Sequence, residues 1–501
     1  MRVLFERLAE YAYAQPDQVA IHGSDASGDC LILTYQALWG RIRALSETLL
    51  ALDTQMIGLA GDNSVSWVLI DLAAAYAGIS IVPIPPFFTA EQQQHVLDTA
   101  GVDWVIGSPH PDVALSHASV TTLAGLPCHA RDVDAPPALP PAVKVTFTSG
   151  STGSPKGVVL SAATLESVSV SLANTVSTTA VPSCHLVVLP LSTLLENITG
   201  VYVPLLLGVT TVIPSSYDLG LIGSSQLNLN QLMSGLIRYR PQSLVLTPAL
   251  LRAVIHLGEQ HPGAVADLKH VAVGGAKVAP GLLRAASRLG LSVFEGYGLS
   301  ECGSVVSLNT SEHHCVGSVG KPLPHNRVFL ASDGEIMVAG ATFSGYLDRD
   351  FHPHQGAVAT GDIGEFDDDG FLYVRGRKKN QLITAFGRNI HPEWIEAEAM
   401  AYSALSNMVV LGEGKDYLTA IIGSDSPDQA KQQLMQLNHQ LPDYAQLRAV
   451  IFTAPFHQQP HLITANGRPK RDVFCQQFEP QLNTSAQPLL TDETLPLTAH
   501  S

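Results

Sequence analysis

Short apolar runs and amphipathic stretches take turns along most of this chain, and that alternation constrains its fold more than any other feature. Residues 35–52 have helical spacing, and Met56–Ala60 follows as a short buried strand. Residues 66–76 again read as a helix, 79–83 as a strand ending at proline, and 104–107 as another strand. The theme returns at 143–147 and 186–190 (strands), 194–207 (helix) and 210–214, 243–247, 271–274 and 292–295 (strands). Strands buried on both faces read as unbroken apolar runs, and parallel strands need a helical crossover. The pattern therefore predicts an α/β fold with a parallel sheet covered by helices. From about 317 to 377 the texture changes. Short β runs alternate with turn signals such as Ser332-Asp333-Gly334 and Asp367-Asp368-Asp369-Gly370, which predicts a β subdomain. A compact α+β unit follows the basic run Arg377-Lys378-Lys379. The chain has 501 residues, more than one core serves, so at least two domains are expected. Residues 476–501, polar and containing Gln and Pro, are expected to form a flexible tail.

Charge and cysteine usage exclude several classes. With 44 acidic and 28 basic side chains the formal net charge is -16, and no basic stripe is visible, so no nucleic-acid partner is expected. Six scattered cysteines form no C-x-x-C pair and suggest no disulfide framework, which makes a cytoplasmic location the default. The uncharged stretches 72–90 and 198–217 are broken by Pro83, Pro85, Pro86, Gly200, Pro204 and Gly208, so no transmembrane segment is expected. The histidines of Glu312-His313-His314-Cys315 and His352-Pro353-His354 have no second ligand cluster at metal-site spacing and read as loop residues.

The chemistry concentrates in residues 146–158, Thr-Phe-Thr-Ser-Gly-Ser-Thr-Gly-Ser-Pro-Lys-Gly-Val. A strand runs directly into a loop of hydroxyls and glycines with one lysine. Thr148, Ser149, Gly150, Ser151, Thr152 and Gly153 offer backbone N–H groups and hydroxyl donors, and Lys156 adds charge, the equipment of a phosphate cradle. The spacing is not that of a Walker loop.

This segment resembles the signature of the adenylate-forming superfamily, which contains acyl-CoA synthetases, peptide-synthetase adenylation domains and beetle luciferases. Further matches follow in the family's order. Gly274-Gly275-Ala276 resembles the segment beside the adenine, and Gly296-Tyr297-Gly298-Leu299-Ser300-Glu301 the aromatic-plus-acid motif, with Ser300 where the family usually has threonine. Thr360-Gly361-Asp362 and Gly376-Arg377 resemble the ribose-binding pair, and Gly387 opens a stretch similar to the functional loop of the mobile C-terminal domain. The resemblance implies a large N-terminal domain, 1–378, with two parallel-rich sheets and a β subdomain. It implies a small mobile α+β domain at 379–475 with its hinge at Lys379. ATP, Mg²⁺ and CoA are the implied cofactors.

Each residue also makes chemical sense alone. Attack of a carboxylate on the α-phosphorus of ATP brings anions together, so positioning and charge stabilisation must dominate. Glu301 suits Mg²⁺, which takes one or two carboxylates plus phosphate oxygens. Asp362 can accept from both ribose hydroxyls, Arg377 can bind ribose or phosphate, and Tyr297 offers a flat face to adenine. One departure bears on catalysis. The family carries a Gly-Lys pair near its C-terminus, whereas this chain reads Gly467-Arg468-Pro469-Lys470. Arg468 takes the lysine position as a planar fork. Lys470, two residues on, points to the same side of an extended segment, about 6.6 Å away.

Residues 189–197 resemble the segment flanking the acyl pocket, and the resemblance assigns Thr193 and Gly274 to the substrate. No aspartate lies between Leu189 and Gly208 to hold an ammonium, which disfavours an α-amino acid. A fatty or otherwise hydrophobic acid fits this apolar stretch, and the leading expectation is an acyl-CoA synthetase. The alternatives are an acyl-AMP ligase that loads an acyl or peptidyl carrier protein or an amine, and a nucleotide-binding regulatory protein that has lost adenylation.

Overall fold

The structure is a computed structural model that describes residues 1–115, 121–133, 137–141, 143–148, 155–178, 181–222, 226–348, 350–385, 388–464, 467–484 and 487–488. The chain divides into two compact units. The first comprises Met1–Ala276, Leu283–Thr360 and Gly364–Val374; the second takes Lys277–Leu282, Gly361–Ile363 and the chain from Arg375.

Two nine-stranded sheets and their helices build the first unit. One sheet has the order Lys321–Pro322, Ser307–Leu308, Val293–Tyr297, His270–Val273, Ser243–Leu246, Cys184–Leu186, Thr210–Ile213, Val19–Ser24 and Cys30–Thr34. Its middle, from Val293–Tyr297 to Val19–Ser24, is parallel, as the apolar runs predict. Strand Val19–Ser24 lies beside a strand far along the chain, and the Thr210 hydroxyl donates to the Val19 carbonyl at 2.7 Å. The other sheet runs Phe351–Pro353, Gly345–Leu347, Lys156–Leu160, Lys144–Thr148, Ser80–Ile84, Met56–Ala60, Trp104–Ile106, Leu126–Ala130 and Thr121–Leu123. Here only the centre is parallel, and antiparallel strands extend both edges. A four-stranded sheet, Asn326–Leu330, Glu335–Gly340, Val358–Phe366 and Leu372–Arg377, forms where turn signals punctuate short β runs.

Helix Val65–Ala77 shows how local sequence places an element. Ser64 caps it, accepting from the Trp67 N–H at 3.1 Å, and Gly78 ends it in the left-handed conformation at φ 75°. Residues Val65 to Ala74 are all buried, because the helix touches Val19–Ser24 of one sheet and Met56–Ala60 and Ser80–Ile84 of the other. A helix apolar all round belongs in such an interior position. The stretch 194–207 departs from its expected single helix. It forms an α turn Leu194–Glu196, a π-helix Asn197–Tyr202 and an α turn Val203–Leu206. In an α-helix residues five apart lie about 140° apart around the axis. Hydrogen bonds closing at i→i+5 bring Asn197 and Tyr202 to one face, where both bond Asp71.

The second unit has a four-stranded sheet, Met408–Leu411, Leu418–Gly423, Leu447–Thr453 and Gln487–Pro488, with helices Pro392–Ala399, Pro427–Asn438 and Arg471–Thr484. Its own cores gather Ile395, Leu434 and Leu437 in one cluster and Phe456, Phe474 and Phe478 in another. The expectation of a flexible tail at 476–501 is corrected only for 476–484 and 487–488; the rest of that stretch lies outside the described residues. Residue 476 lies inside helix Arg471–Thr484, and Gln487–Pro488 pairs antiparallel with Leu447–Thr453. Phe474, Phe478 and Leu482 recur every four residues and form an apolar stripe, with Phe474 packed 4.9 Å from Phe456. The glutamines between them hid that stripe. Among the described residues no helix is long and apolar enough to cross a membrane.

Candidate active site

Strands Lys144–Thr148 and Lys156–Leu160 pair antiparallel, with Thr148 opposite Lys156. The hydroxyl- and glycine-rich segment is thus the connection of a hairpin, and its two ends are held side by side. Ser149, Gly150, Ser151, Thr152 and Gly153 lie outside the described residues. Lys156 is exposed, and Pro155 before it is buried, its carbonyl accepting from His95 Nε2 at 3.0 Å.

A second group comes from the C-terminal ends of two adjacent parallel strands in the other nine-stranded sheet. Gly274, Gly275 and Ala276 follow strand His270–Val273, Gly275 at φ 82°. Strand Val293–Tyr297 ends at Gly296 and the half-buried Tyr297. Gly298 admits no other residue, since a Cβ there would sit 1.7 Å from the Ser304 carbonyl oxygen. The 3₁₀ turn Ser300–Cys302 then presents Glu301. The Phe343 N–H donates to the Glu301 carbonyl at 2.8 Å, and the Tyr346 hydroxyl donates to Glu301 Oε1 at 2.6 Å. Tyr346 lies on strand Gly345–Leu347, which pairs with the strand that begins at Lys156, Leu347 opposite Gly157. Lys156 and Glu301 therefore share one framework. Ligand sites in open α/β sheets form at these strand ends.

Thr193 turns its hydroxyl back to the Pro190 carbonyl at 2.6 Å. The loop it ends is docked by Asn63, which donates to the Leu189 carbonyl at 2.9 Å and accepts from the Leu191 N–H at 2.7 Å. Glu196, fully buried three residues on, accepts from the Val188 N–H at 2.9 Å. Burial pushes its carboxyl up to about 8 against the lowering effect of the Val188 and Leu189 N–H groups, so it stays protonated at neutral pH.

Beneath the hairpin lies a polar cluster that sequence reasoning missed. Lys144, buried in the apolar strand, bonds Asp71 Oδ1 at 2.7 Å, the Tyr202 hydroxyl at 3.0 Å and Asn197 Oδ1. Asp71 Oδ2 accepts from Asn197 Nδ2 at 2.9 Å and from the Tyr202 hydroxyl at 2.7 Å. All three ammonium protons have acceptors. The signal was present: a charge in the run Val143–Phe147 and another in the apolar helix at 71. Tyr346 offered no such signal.

In the second unit Asp362 is buried, and Arg377 Nε bonds its Oδ1 at 2.9 Å. Gly376 is buried beside them, where a Cβ would meet His391 Cβ at 2.8 Å. Desolvation first and the Arg377 charge next press the Arg468 guanidinium down, and Asp362 pulls it back. Residues Arg468 to Lys470 form one arm of a hairpin: the Arg468 carbonyl accepts from the Thr464 N–H at 2.7 Å, and the Lys470 N–H donates to the Leu462 carbonyl at 2.8 Å. Pro469 bridges Ile463, so the arm is extended between the two cations, and both are exposed. Lys379 sits exposed in the 3₁₀ turn Lys378–Asn380. Gly387 lies outside the described residues.

The profile of a family described as AMP-binding enzyme matches residues 8–347. A long-chain-fatty-acid–CoA ligase, FadD15 of Mycobacterium bovis, is 40% identical over 141 residues, a match that spans 27% of this chain and only 24% of that protein. FadD13 of Mycobacterium tuberculosis, also named a long-chain-fatty-acid–CoA ligase, is 25% identical over 460 residues, 84% of this chain and 88% of its own. Among solved structures, o-succinylbenzoate CoA synthetase of Bacillus subtilis with its acyl-adenylate intermediate superposes with a TM-score of 0.73 at 20% identity. That superposition covers 93% of this chain and 97% of the other.

Proposed function

Because the chain belongs to the AMP-binding enzyme family, we propose that it is an acid–thiol ligase that activates a carboxylic acid as its acyl-adenylate and passes the acyl group to CoA. One observation carries this reading. The strand that starts at Lys156 is paired on one side with the strand feeding the hydroxyl-rich loop and on the other with the segment that grips Glu301. In this reading a phosphate-binding cation and a metal-binding carboxylate, the latter in a 3₁₀ turn, are tied to adjacent strands, which supports the preorganisation that attack on a phosphorus requires.

In the first step a carboxylate oxygen of the acid bonds to the α-phosphorus of ATP and the bond to the β-phosphate breaks, releasing pyrophosphate. Thr148 and the loop after it bind phosphate oxygens, and Lys156 offsets their charge. Glu301 fits Mg²⁺ by its donor chemistry, since Tyr346 occupies one carboxylate oxygen and, among the described residues, no hydrogen-bond donor takes the other. When bound, the metal neutralises phosphate charge. Tyr297 stacks on adenine beside Gly274–Ala276. Asp362, oriented by Arg377, accepts from the ribose hydroxyls. Lys470 or Arg468 supplies the cation between carboxylate and phosphate. In the second step the CoA sulfur attacks the acyl carbon and AMP leaves, with Lys379 as the hinge and the Gly387 loop serving the thiol step. The buried segment around Thr193 and Leu194–Leu206 supports a hydrophobic, fatty-type acid.

The test is pyrophosphate exchange over a panel of carboxylic acids, followed by CoA-dependent AMP release. Exchange with hydrophobic acids and AMP release that requires CoA are expected. Exchange with no CoA dependence would assign the acyl group to a carrier protein or amine. ATP binding without exchange for any acid would replace the enzyme by a nucleotide-binding regulator.

A further inference from the structure

The Glu301 side chain is held in an asymmetric way. Its Oε1 receives the Tyr346 hydroxyl at 2.6 Å, while among the described residues Oε2 has no such donor. The grip on Glu301 is double, because the Phe343 N–H also donates to the Glu301 carbonyl. Phe343 and Tyr346 lean on each other edge to face at 4.7 Å, and Phe343 stacks on His354 at 4.8 Å. The Thr164 hydroxyl donates to the Thr342 carbonyl at 2.8 Å, so the segment is tied down ahead of Phe343 as well. Strand pairing sets Tyr346 opposite Val158, two residues from Lys156.

We propose that Tyr346 is a positioning residue that makes Glu301 a one-point metal ligand, presenting Oε2 alone and in a fixed direction. This rests on the reading of Glu301 as the Mg²⁺ carboxylate. A carboxylate with one oxygen held by a short hydrogen bond is restrained from turning both oxygens equally toward a cation. Mg²⁺ demands near-octahedral geometry at 2.0–2.1 Å and takes single oxygens, whereas Ca²⁺ accepts bidentate carboxylates at 2.3–2.6 Å. Tyr346 therefore acts on metal choice as well as on metal affinity, in the way outer hydrogen bonds orient ligands elsewhere.

The experiment reads binding directly. Mn²⁺ serves as the paramagnetic probe, titrated by electron paramagnetic resonance into the full chain with a non-hydrolysable ATP analogue, and Mg²⁺ and Ca²⁺ then compete it off. Tyr346→Phe keeps the ring on Phe343 and removes only the hydroxyl. It should weaken Mn²⁺ by roughly 10-fold and narrow the preference for Mg²⁺ over Ca²⁺, with the metal-free unfolding midpoint little changed. Tyr346→His, which keeps a ring N–H donor, should recover part of the loss and provides a second variant should the first fold poorly. Glu301→Gln should lose more than either. If Tyr346→Phe binds and discriminates like the parent while Glu301→Gln is impaired, the positioning role is wrong and the Glu301 reading stands. If Glu301→Gln also binds the probe normally, the metal reading of Glu301 fails and takes the proposal with it. A loss in Tyr346→Phe that tracks a lowered unfolding midpoint, with no change in Mg²⁺ to Ca²⁺ preference, would make the contact a fold staple and overturn the proposal.

Discussion

Arg468 and Lys470 are held by their backbones, so their side chains can be removed one at a time. The Lys470 carbonyl still accepts from Val473 and Phe474 at the start of helix Arg471–Thr484 in an alanine variant. One of the two substitutions should cost adenylation about 2–4 kcal/mol, the scale of a lost electrostatic stabiliser. Thioester formation from supplied acyl-adenylate should survive both, as single-turnover assays would show. Asp362→Ala should weaken ATP by about 1.5–3 kcal/mol in calorimetric titration, since charged hydrogen bonds to two hydroxyls go. Three other buried groups set a pH profile. Burial, with His270 adding, pushes His185 down to about 3, and burial pushes His270 down to about 4. Both are neutral when folded, so the unfolded chain binds more protons below 6.5 and stability falls as pH drops toward 4. Glu196 has the opposite sign: protonated when folded and ionised when unfolded between 4.5 and about 8, it lowers stability as pH rises through that window. Each group contributes a slope of about 1.4 kcal/mol per pH unit. Denaturant curves should peak near pH 6.5, and Glu196→Gln, whose amide oxygen can still accept from Val188, should flatten the alkaline side. A profile that keeps its alkaline slope in that variant would remove Glu196 from the account.

Helix Val65–Ala77, strand Lys144–Thr148 and the π-helix Asn197–Tyr202 meet at one ion pair, fully buried on both sides. Burial presses the Lys144 ammonium toward its neutral form and Asp71 presses it back. Lys144→Met strands the Asp71 carboxylate and should cost about 3–5 kcal/mol, while the double variant Lys144→Met with Asp71→Leu should recover most of it. Equilibrium unfolding of the three proteins measures both numbers. A double variant as unstable as the single one would mean that the hydrogen bonds, and not the charge, hold these elements together. The cluster also marks where the sequence was legible and where it was not. Strand Met56–Ala60 and the parallel order around it follow from apolar runs. The residues proposed for phosphate, metal and ribose stand out because hydroxyls, glycines and carboxylates interrupt those runs. The supports behind them do not, because Lys144 with Asp71, and Tyr346 with Glu301, are set by strand neighbours far apart in the chain. Likewise 194–207 has helical periodicity throughout, and its π turn goes with the reach of Asn197 and Tyr202 to Asp71, which no periodicity shows.

At the scale of the whole molecule, the two units have separate cores, with Leu434 wholly buried in the second. Calorimetry should resolve two transitions, and Leu434→Ala, costing about 2–5 kcal/mol, should lower one of them alone. A single transition that moves as a block would show that the cores melt together. The sheet that contains Val19–Ser24 bears on how the protein is made. That strand's parallel partner includes Thr210, 191 residues further along. At about 5–20 residues per second a ribosome needs roughly 10–40 s to deliver it. Through that interval the hairpin of Val19–Ser24 with Cys30–Thr34 has one unmatched edge, a template for other nascent chains. Dense translation of one message would therefore favour tangling between neighbouring ribosomes, and slower initiation would raise the yield of folded protein more than slower elongation.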